Sequence, residues 1–333
     1  MNSVHLLVPD LLLPQEFAAE VCAGLHLPAL EKILARGRRL PAQAVPLESR
    51  FGQLFGLPVD AGFAAFSAAF DGLGEGVWLR ADPVHLSLRH EQLLLLPDVV
   101  LGADEASEFC TGLNRHFSDM GLRFTAPHPQ RWYLRLDTVP QLRTVPLSQA
   151  AWRDVRGLLP GGADAARWMQ LFNEIQMLLF SHPLNAQREA RDELAVNSLW
   201  LWGSGRTDAV PQRSYRGVSS DETLAAMLAA ASATSFRDWT AQWQPLESGE
   251  QLLVWGGLRS ALQRGDLAEW RDAVQAFETG YAQPLWQALR SGKLQRLRLE
   301  SAGGATALQL ELGRADTWRF WRPGRSLATC AMV

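Results

Sequence analysis

Residues 181–205, SHPLNAQREARDELAVNSLWLWGSG, set an apolar strand between two polar segments. Along Asn197, Ser198, Leu199, Trp200, Leu201, Trp202 and Gly203 the side chains of an extended chain alternate, so both leucines point to one face and both tryptophans to the other. Both faces are then apolar, as in a central strand of an α/β sheet with helices on either side. Gly203, Ser204 and Gly205 follow at its carboxyl end, where open α/β sheets hold their ligands. In front of the strand stand His182, Asn185 and Arg188. Taken singly, each is an ordinary structural polar side chain. Taken together they read as an anion pocket, because the planar fork of arginine matches phosphate and carboxylate oxygens.

The composition frames this reading. A chain of 333 residues with 47% hydrophobic and 20% charged residues can bury a large core or two ordinary ones and is not disordered. The formal net charge of −3 supplies no global attraction to nucleic acid or anionic membrane, and neither is expected as a partner. Nearly all the cations are arginine, with lysine only at Lys32 and Lys293. Cys22, Cys110 and Cys330 are odd in number and widely spaced, which indicates neither a disulfide framework nor a zinc site. With no signal-peptide pattern and no apolar run of about 20 residues, a cytoplasmic protein is expected.

Outward from the central strand, periodicity assigns further elements. Residues 4–8 (VHLLV) predict a buried first strand that stops at Pro9 and Asp10. Residues 28–36 predict a helix burying Leu30, Ile33 and Leu34, with proline in its first turn and Gly37 as its stop. Residues 77–88 and 131–136 predict strands. Residues 104–120 between them predict a helix capped by Asp104 that buries Phe109, Leu113 and Phe117. A helix over 164–180 buries Trp168, Leu171, Phe172 and Ile175. Ser219 to Glu222 read as a capping box opening an alanine-rich helix, and residues 251–255 as a buried strand. Asp266, with Glu269 three residues on, starts a helix lined by Trp270, Val274, Phe277 and Tyr281 that Pro284 bends; the aromatic stripe reads as core. Leu297 and Leu299, then Leu308, Leu310 and Leu312, alternate across Gly303 and Gly304 as a hairpin. Trp318, Arg319, Phe320, Trp321 and Arg322 alternate like an edge strand.

The run Ser181, His182, Pro183, Leu184, Asn185, then Arg188, then Asn197 to Gly203, resembles the central signature of the archaeal-type cofactor-independent phosphoglycerate mutases of the alkaline phosphatase superfamily. The resemblance implies an α/β fold, a mainly parallel sheet flanked by helices, with residues 1–75 and 141–333 as the core and 76–140 as an inserted, smaller α+β lid-like subdomain. It places Asp10 at a metal-binding aspartate of the family. Arg80 and Asp82 fall where the family has an arginine and an asparagine near the substrate, so the expected ligand-binding set is Arg80, Asp82, His182, Asn185, Arg188 and Asn197.

The chain departs from the family where the chemistry is done. Counting back about nine positions from Gly56, to where a nucleophilic serine or threonine should precede an aspartate, gives Leu47 and Glu48, with Ser49 two residues on as a loop serine. The two metals of the family need aspartate and histidine ligands, several from the C-terminal half. Yet His5, His26, His85, His90, His116, His128 and His182 all lie at or before position 182. Residues 254–259 read VWGGLR where ligands belong, only Gly265 and Asp266 still match, and the leucine hairpin stands in place of an Asp-His-Gly element. The expectation is a catalytically degenerate relative, similar to the bacterial Rpf-E-type regulatory proteins, with no catalytic residue and no cofactor. It would bind a small phosphorylated or carboxylated metabolite and have a regulatory role. An active mutase or phosphomonoesterase with a rebuilt metal site is one alternative. A protein-interaction module, acting on a protein partner or as a homo-oligomer, is the other.

Overall fold

The computed structural model describes residues 2–205, 208–245, 248–303, 306–322 and 324–331. The chain divides into two compact units, Met1–Leu57 with Val210–Val333, and Pro58–Ala209. Among the described residues the strands are, in chain order, β1 (Ser3–Leu7), β2 (Arg38–Arg39), β3 (Val77–Arg89), β4 (Gln92–Leu96), β5 (Arg123–His128), β6 (Arg131–Leu136), β7 (Ser198–Trp202), β8 (Gly217–Ser220), β9 (Ser235–Asp238), β10 (Glu250–Val254), β11 (Arg296–Ser301) and β12 (Leu308–Gly313).

The first unit is built on a sheet of order β2-β12-β11-β1-β10-β8-β9. Its strands β11, β1, β10, β8 and β9 run parallel, and at one edge β12 pairs antiparallel with β11 and β2 antiparallel with β12. The β1 run is buried because it lies inside this sheet, with Leu6 opposite Leu253 on one side and Leu299 on the other. The β11–β12 hairpin has the expected register, Leu297 facing Leu312 and Leu299 facing Leu310; Gly304 of its turn lies outside the described residues.

The helix Pro28–Arg36 forms as expected and buries Leu30, Ile33 and Leu34. Its first turn carries no side-chain cap of its own. Instead the fully buried Glu278 accepts from Ala29 N at 2.8 Å and from Leu30 N at 3.0 Å. That carboxylate satisfies helix N–H groups which have no intrahelical partner and sits at the positive end of the helix dipole. Glu278 can reach there because the helix begun at Asp266, whose side chain does accept from Glu269 N, passes through a π turn, Glu278–Ala282, before continuing as Gln283–Ser291. The bend expected near Pro284 is this widened turn. Trp270, Val274, Phe277 and Tyr281 join the core, as expected.

The second unit holds an antiparallel sheet, β4-β3-β6-β5, with β7 paired to β3. The two-tryptophan strand therefore lies here and not in the parallel sheet. Its two-faced burial is as expected: Leu199 and Leu201 pack with Phe109, Leu113, Trp168 and Ile175, while Trp200 and Trp202 pack with Val84, Leu95 and Val155. Alternation records only that both faces are covered. A strand covered on both faces looks the same whichever way its neighbours run. The glycines after it also serve the backbone: Gly203, at φ +79°, accepts from Ala64 N at 2.9 Å, and a β-carbon on Gly205 would overlap Asp60. β7 and the helix Ala165–Phe180 pack within this unit, which spans 58–209.

Three local expectations are corrected. The helix Ala103–His116 is capped by the backbone of Gly102, whose N–H donates to Glu105, and not by Asp104. Ser219 and Ser220 end β8, so the turn to the helix Thr223–Ala231 is made by Asp221 and Glu222. The edge strand expected at 318–322 is replaced by the end of a 3-10 helix, Arg314–Trp318, and a turn that exposes Trp318, Phe320 and Trp321.

Replacing Glu278 by alanine leaves two buried N–H donors without an acceptor and is expected to lower stability by about 1–3 kcal/mol. Urea denaturation of Glu278→Ala against the native chain measures this, and a loss below about 0.5 kcal/mol would mean that water takes over the cap.

Candidate functional site

In the second unit a chain of hydrogen bonds runs through buried polar side chains. On β3, Arg80 donates from Nε and Nη2 to Asp82 Oδ1 at 3.1 and 2.5 Å, and from Nη1 to Ser67 Oγ at 2.9 Å. The other Asp82 oxygen accepts from Trp202 Nε1 at 2.7 Å. Ser67 Oγ lies 2.5 Å from the Tyr133 hydroxyl, which donates to Asp71 Oδ2 at 2.5 Å. Asp71 also takes a bidentate pair from Arg131, at 2.9 and 2.6 Å.

Strand pairing makes this arrangement. β3 sits between β6 and β7, so Arg80 is opposite both Tyr133 and Trp202, and its guanidinium lies 5.4 and 5.3 Å from the centres of their rings. Two aromatic faces hold the cation in one orientation. Burial pushes the Asp82 carboxyl above its ordinary value, against the pull of Arg80 and the Trp202 indole. Burial also works on Asp71, but there the hydrogen bonds from Arg131 and Tyr133 win and its pKa falls. Burial, and then Arg131, lower that of His128.

In the first unit a second cluster forms at the carboxyl edge of the parallel strands. Asp10, just past β1, takes the left-handed conformation at φ +56°, uncommon for any residue but glycine. Its carboxylate is 3.1 Å from Nε of Arg259, on the helix Gly257–Arg264. Glu222 and Glu48 act on the same guanidinium through their charge. Burial pushes the Glu222 carboxyl up to about 7, partly offset by Arg259. Burial opposes the charge on Arg259, but Glu222, Asp10 and Glu48 outweigh it and raise its pKa. Leu47, 3% exposed, begins the helix Leu47–Leu54, so Ser49 is an exposed residue of its first turn and not a loop serine.

The metal chemistry implied for Asp10 does not fit this donor set. Among the described residues no three carboxylate, imidazole or thiol side chains group as metal ligands would, and the Asp10 carboxylate already holds a guanidinium. No reaction step is assigned to a metal.

The remaining expected ligand residues are engaged elsewhere in the second unit. His182 precedes the helix Pro183–Ala190, accepts from Leu184 N at 3.3 Å and packs on Phe109. Asn185 is buried and bonds to Leu179 O, Val196 O and Val196 N. Arg188, 1% exposed, donates to Leu194 O, Val100 O and Glu105, each at 2.9 Å. Asn197 brackets Leu86 of β3, accepting from its N at 2.7 Å and donating to its O at 2.9 Å. These four polar groups tie backbone to backbone, and among the expected set the structure brings together Arg80 and Asp82. Ser67, Asp71, Arg131, Tyr133 and Trp202 were not in the expected ligand set. Their one signal was the alternation Arg131, Tyr133, Arg135 on β6, which reads as a solvated face although Tyr133 is fully buried.

The first unit is thus an α/β domain with a mainly parallel sheet flanked by helices. Over its whole length the chain superposes on the cofactor-independent phosphoglycerate mutase of Thermoplasma acidophilum with a TM-score of 0.50 and 14% identity, covering 99% of this chain and 95% of that one. It also superposes on a solved protein of Pyrococcus horikoshii with a TM-score of 0.54 and 12% identity, covering 98% and 91%. In sequence it is 25% identical over 193 residues to the 2,3-bisphosphoglycerate-independent phosphoglycerate mutase of Methanosarcina mazei, which takes in 54% of this chain and 48% of that enzyme. A probable enzyme of the same name from Geobacter sulfurreducens is 32% identical over 65 residues, 20% of this chain and 16% of that protein. The matched stretches span less than half the length of these relatives. No protein-family model matches. The fold is like that of a cofactor-independent phosphoglycerate mutase, and part of the sequence is similar to enzymes of that name. Among the described residues no helix is long and apolar enough to cross a membrane.

Because the Asp71 pKa lies below its ordinary value near 4, its contribution to stability is full above that pH and is lost as pH falls through it. Asp71→Asn is therefore expected to melt below the native chain at pH 7, with the gap closing toward pH 3. A gap that stays constant in a thermal-melt series would show that Asp71 does not carry the charge of the cluster.

Proposed function

We propose that the chain is a catalytically degenerate phosphoglycerate mutase-like protein that binds a small phosphorylated or carboxylated ligand in the cytoplasm and serves a regulatory role. The observation that carries this reading is Leu47, a buried leucine in the first turn of its helix where the resemblance calls for a hydroxyl nucleophile. Phosphoryl transfer through an enzyme-bound phosphate needs an oxygen that can become an alkoxide, and an isobutyl side chain has none. Ser49 points to solvent from the same turn and does not replace it.

What such a protein keeps is recognition, and Arg80 supports that part. Its guanidinium is oriented before any ligand arrives, so little side-chain entropy is lost on binding. Asp82 and Ser67 take one hydrogen from each of its nitrogens, and a guanidinium carries five. The remaining N–H groups are suited to carboxylate or phosphate oxygens, with Arg131 joined to the same network through Asp71. The phosphoglycerates of the relatives are the first ligands to try.

With 3-phosphoglycerate at about 100 times its dissociation constant, stability should rise by roughly 2.7 kcal/mol, visible as a higher thermal midpoint without added manganese. Arg80→Lys keeps the charge but loses the fork, and is expected to abolish the rise. Turnover of phosphoglycerate after addition of manganese or cobalt would overturn the degenerate reading. An equal rise in Arg80→Lys would remove that residue from the ligand site.

A further inference from the structure

Two surface features of the chain are complementary in chemistry. The first is an aromatic tip in the first unit. After the 3-10 helix Arg314–Trp318 the chain turns and leaves Trp318 59%, Phe320 80% and Trp321 66% exposed. The turn is braced by Arg36, which donates from Nη1 to Thr317 O at 2.6 Å and from Nε to Arg322 O at 3.4 Å, while Arg319 donates back to Arg36 O at 3.2 Å. Phe320 and Trp321 meet edge to face with ring centres 5.3 Å apart, and the Arg290 guanidinium lies 5.7 Å from the centre of the Trp318 ring. Three large aromatic side chains are thus held toward water in one arrangement with arginines among them. Aromatic residues and arginine are the types most enriched where proteins bury surface against one another.

The second is a groove of about 680 Å³ in the second unit, lined by the helix Ala165–Phe180, the end of β6 and the 3-10 helix Ser118–Met120. Its floor is apolar, made by Leu122, Leu136, Trp168 and Leu171, and the exposed Met120 and Met177 stand at its rim. Sites that enclose a drug-sized molecule have volumes of about 300–1,000 Å³, so the groove has room for aromatic side chains. Its charged lining is three carboxylates, Asp137, Asp164 and Glu174, against one guanidinium, Arg167. Asp164 Oδ2 accepts from Gln141 N at 2.7 Å and Glu174 Oε1 lies 2.6 Å from Nε2 of the exposed His116, which leaves each a second oxygen for a cation. An apolar floor under an acidic rim selects an occupant that is both apolar and cationic.

We propose that the tip of one copy of this chain docks in the groove of another, with Phe320 and Trp321 on the apolar floor and Arg322 toward the carboxylates of the rim. A second copy is the occupant because the chain carries both halves of the match, the aromatic and cationic segment and the apolar, acidic groove. The contact joins unlike patches, so each copy gives a tip and receives one. Covered aromatic side chains bury about 150–250 Å² each, and scaled by their exposures the three offer about 300–500 Å². That is roughly half of the ~800 Å² per partner in a standard interface. The association is therefore weak and depends on concentration, and its charge pairs make it weaker still as salt is raised. No residue of the Arg80 cluster takes part, so the contact stands or falls apart from the ligand site.

The test is sedimentation equilibrium of the full chain. The native protein should gain mass with concentration, with a dissociation constant of about 10–100 µM, and lose that mass as sodium chloride is added. Phe320→Ser with Trp321→Ser removes the tip, and Asp137→Lys with Glu174→Lys reverses the rim. Either pair alone should weaken association at least about tenfold. An equimolar mixture of the two should restore a one-to-one complex that grows no further, because one variant still has the groove and the other still has the tip. A native chain that stays monomeric at every concentration would overturn the proposal and leave the tip to a different protein. A rim variant that associates like the native chain would overturn it as well, since tips would then pair with tips, and so would a mixture without the complex. Should a variant not fold, a synthetic peptide of residues 314–322 is added to the native chain: it should dissociate the assembly, and an assembly indifferent to excess peptide counts against the proposal.

Discussion

The pairing of β1 with strands from the far end of the chain is the constraint on which the first unit rests. Leu6 lies between Leu253 and Leu299, so the first strand finds its partners about 250 and 290 residues downstream. Until β10 and β11 exist, β1 is an apolar segment with unpaired N–H and C=O groups on both edges, which cannot be left buried. The Glu278 cap repeats the constraint on the helical side, because the helix Pro28–Arg36 takes its first-turn acceptor from 250 residues away. The residues between form the second unit, whose strands β3, β4, β5, β6 and β7 pair among themselves over much shorter separations. Contacts of short separation close at lower entropic cost, so the second unit has what it needs to form ahead of the sheet that encloses its ends in sequence.

Both units place arginine where charge is buried, with different results. Arg188 is consumed by its surroundings: two backbone carbonyls and a glutamate take its donors, and it works as a cross-link between the helix Pro183–Ala190 and the segment near Val100. Arg80 is held by two aromatic faces and shares its carboxylate with an indole, which fixes its direction while leaving N–H groups over. Arg259 is a third case, a largely buried cation paired with the Asp10 carboxylate. The same side chain serves as brace, oriented donor and counter-ion according to how many acceptors surround it. Proximity in sequence to a recognisable motif does not tell these apart.

That is also why the fold was more legible than the site. Apolar periodicity reports burial, and it located β1, β6, the helices Pro28–Arg36 and Ala165–Phe180 and the leucine hairpin almost to the residue. It could not report the direction of a neighbouring strand, so β7 was read as a central strand of the α/β sheet, nor show that the alternating segment leaves Trp318, Phe320 and Trp321 exposed. For the site, Arg80 and Asp82 were visible through the family pattern, whereas Asp71, Ser67 and Tyr133 join them only through the register of β3 on β6. Asn185 and Asn197 have the composition of ligand residues, yet each spends its amide on the backbone of a neighbouring segment, an equally good use for a side chain carrying both donor and acceptor.

The two departures from the mutase pattern reinforce each other. A metal beside Asp10 would serve to activate a hydroxyl and to offset the charge of a transferring phosphate. On the proposed reading Leu47 stands where that hydroxyl would be, so the first purpose has no object and only charge compensation at Asp10 would remain. Arg259 performs that neutralisation without the Lewis acidity of a metal.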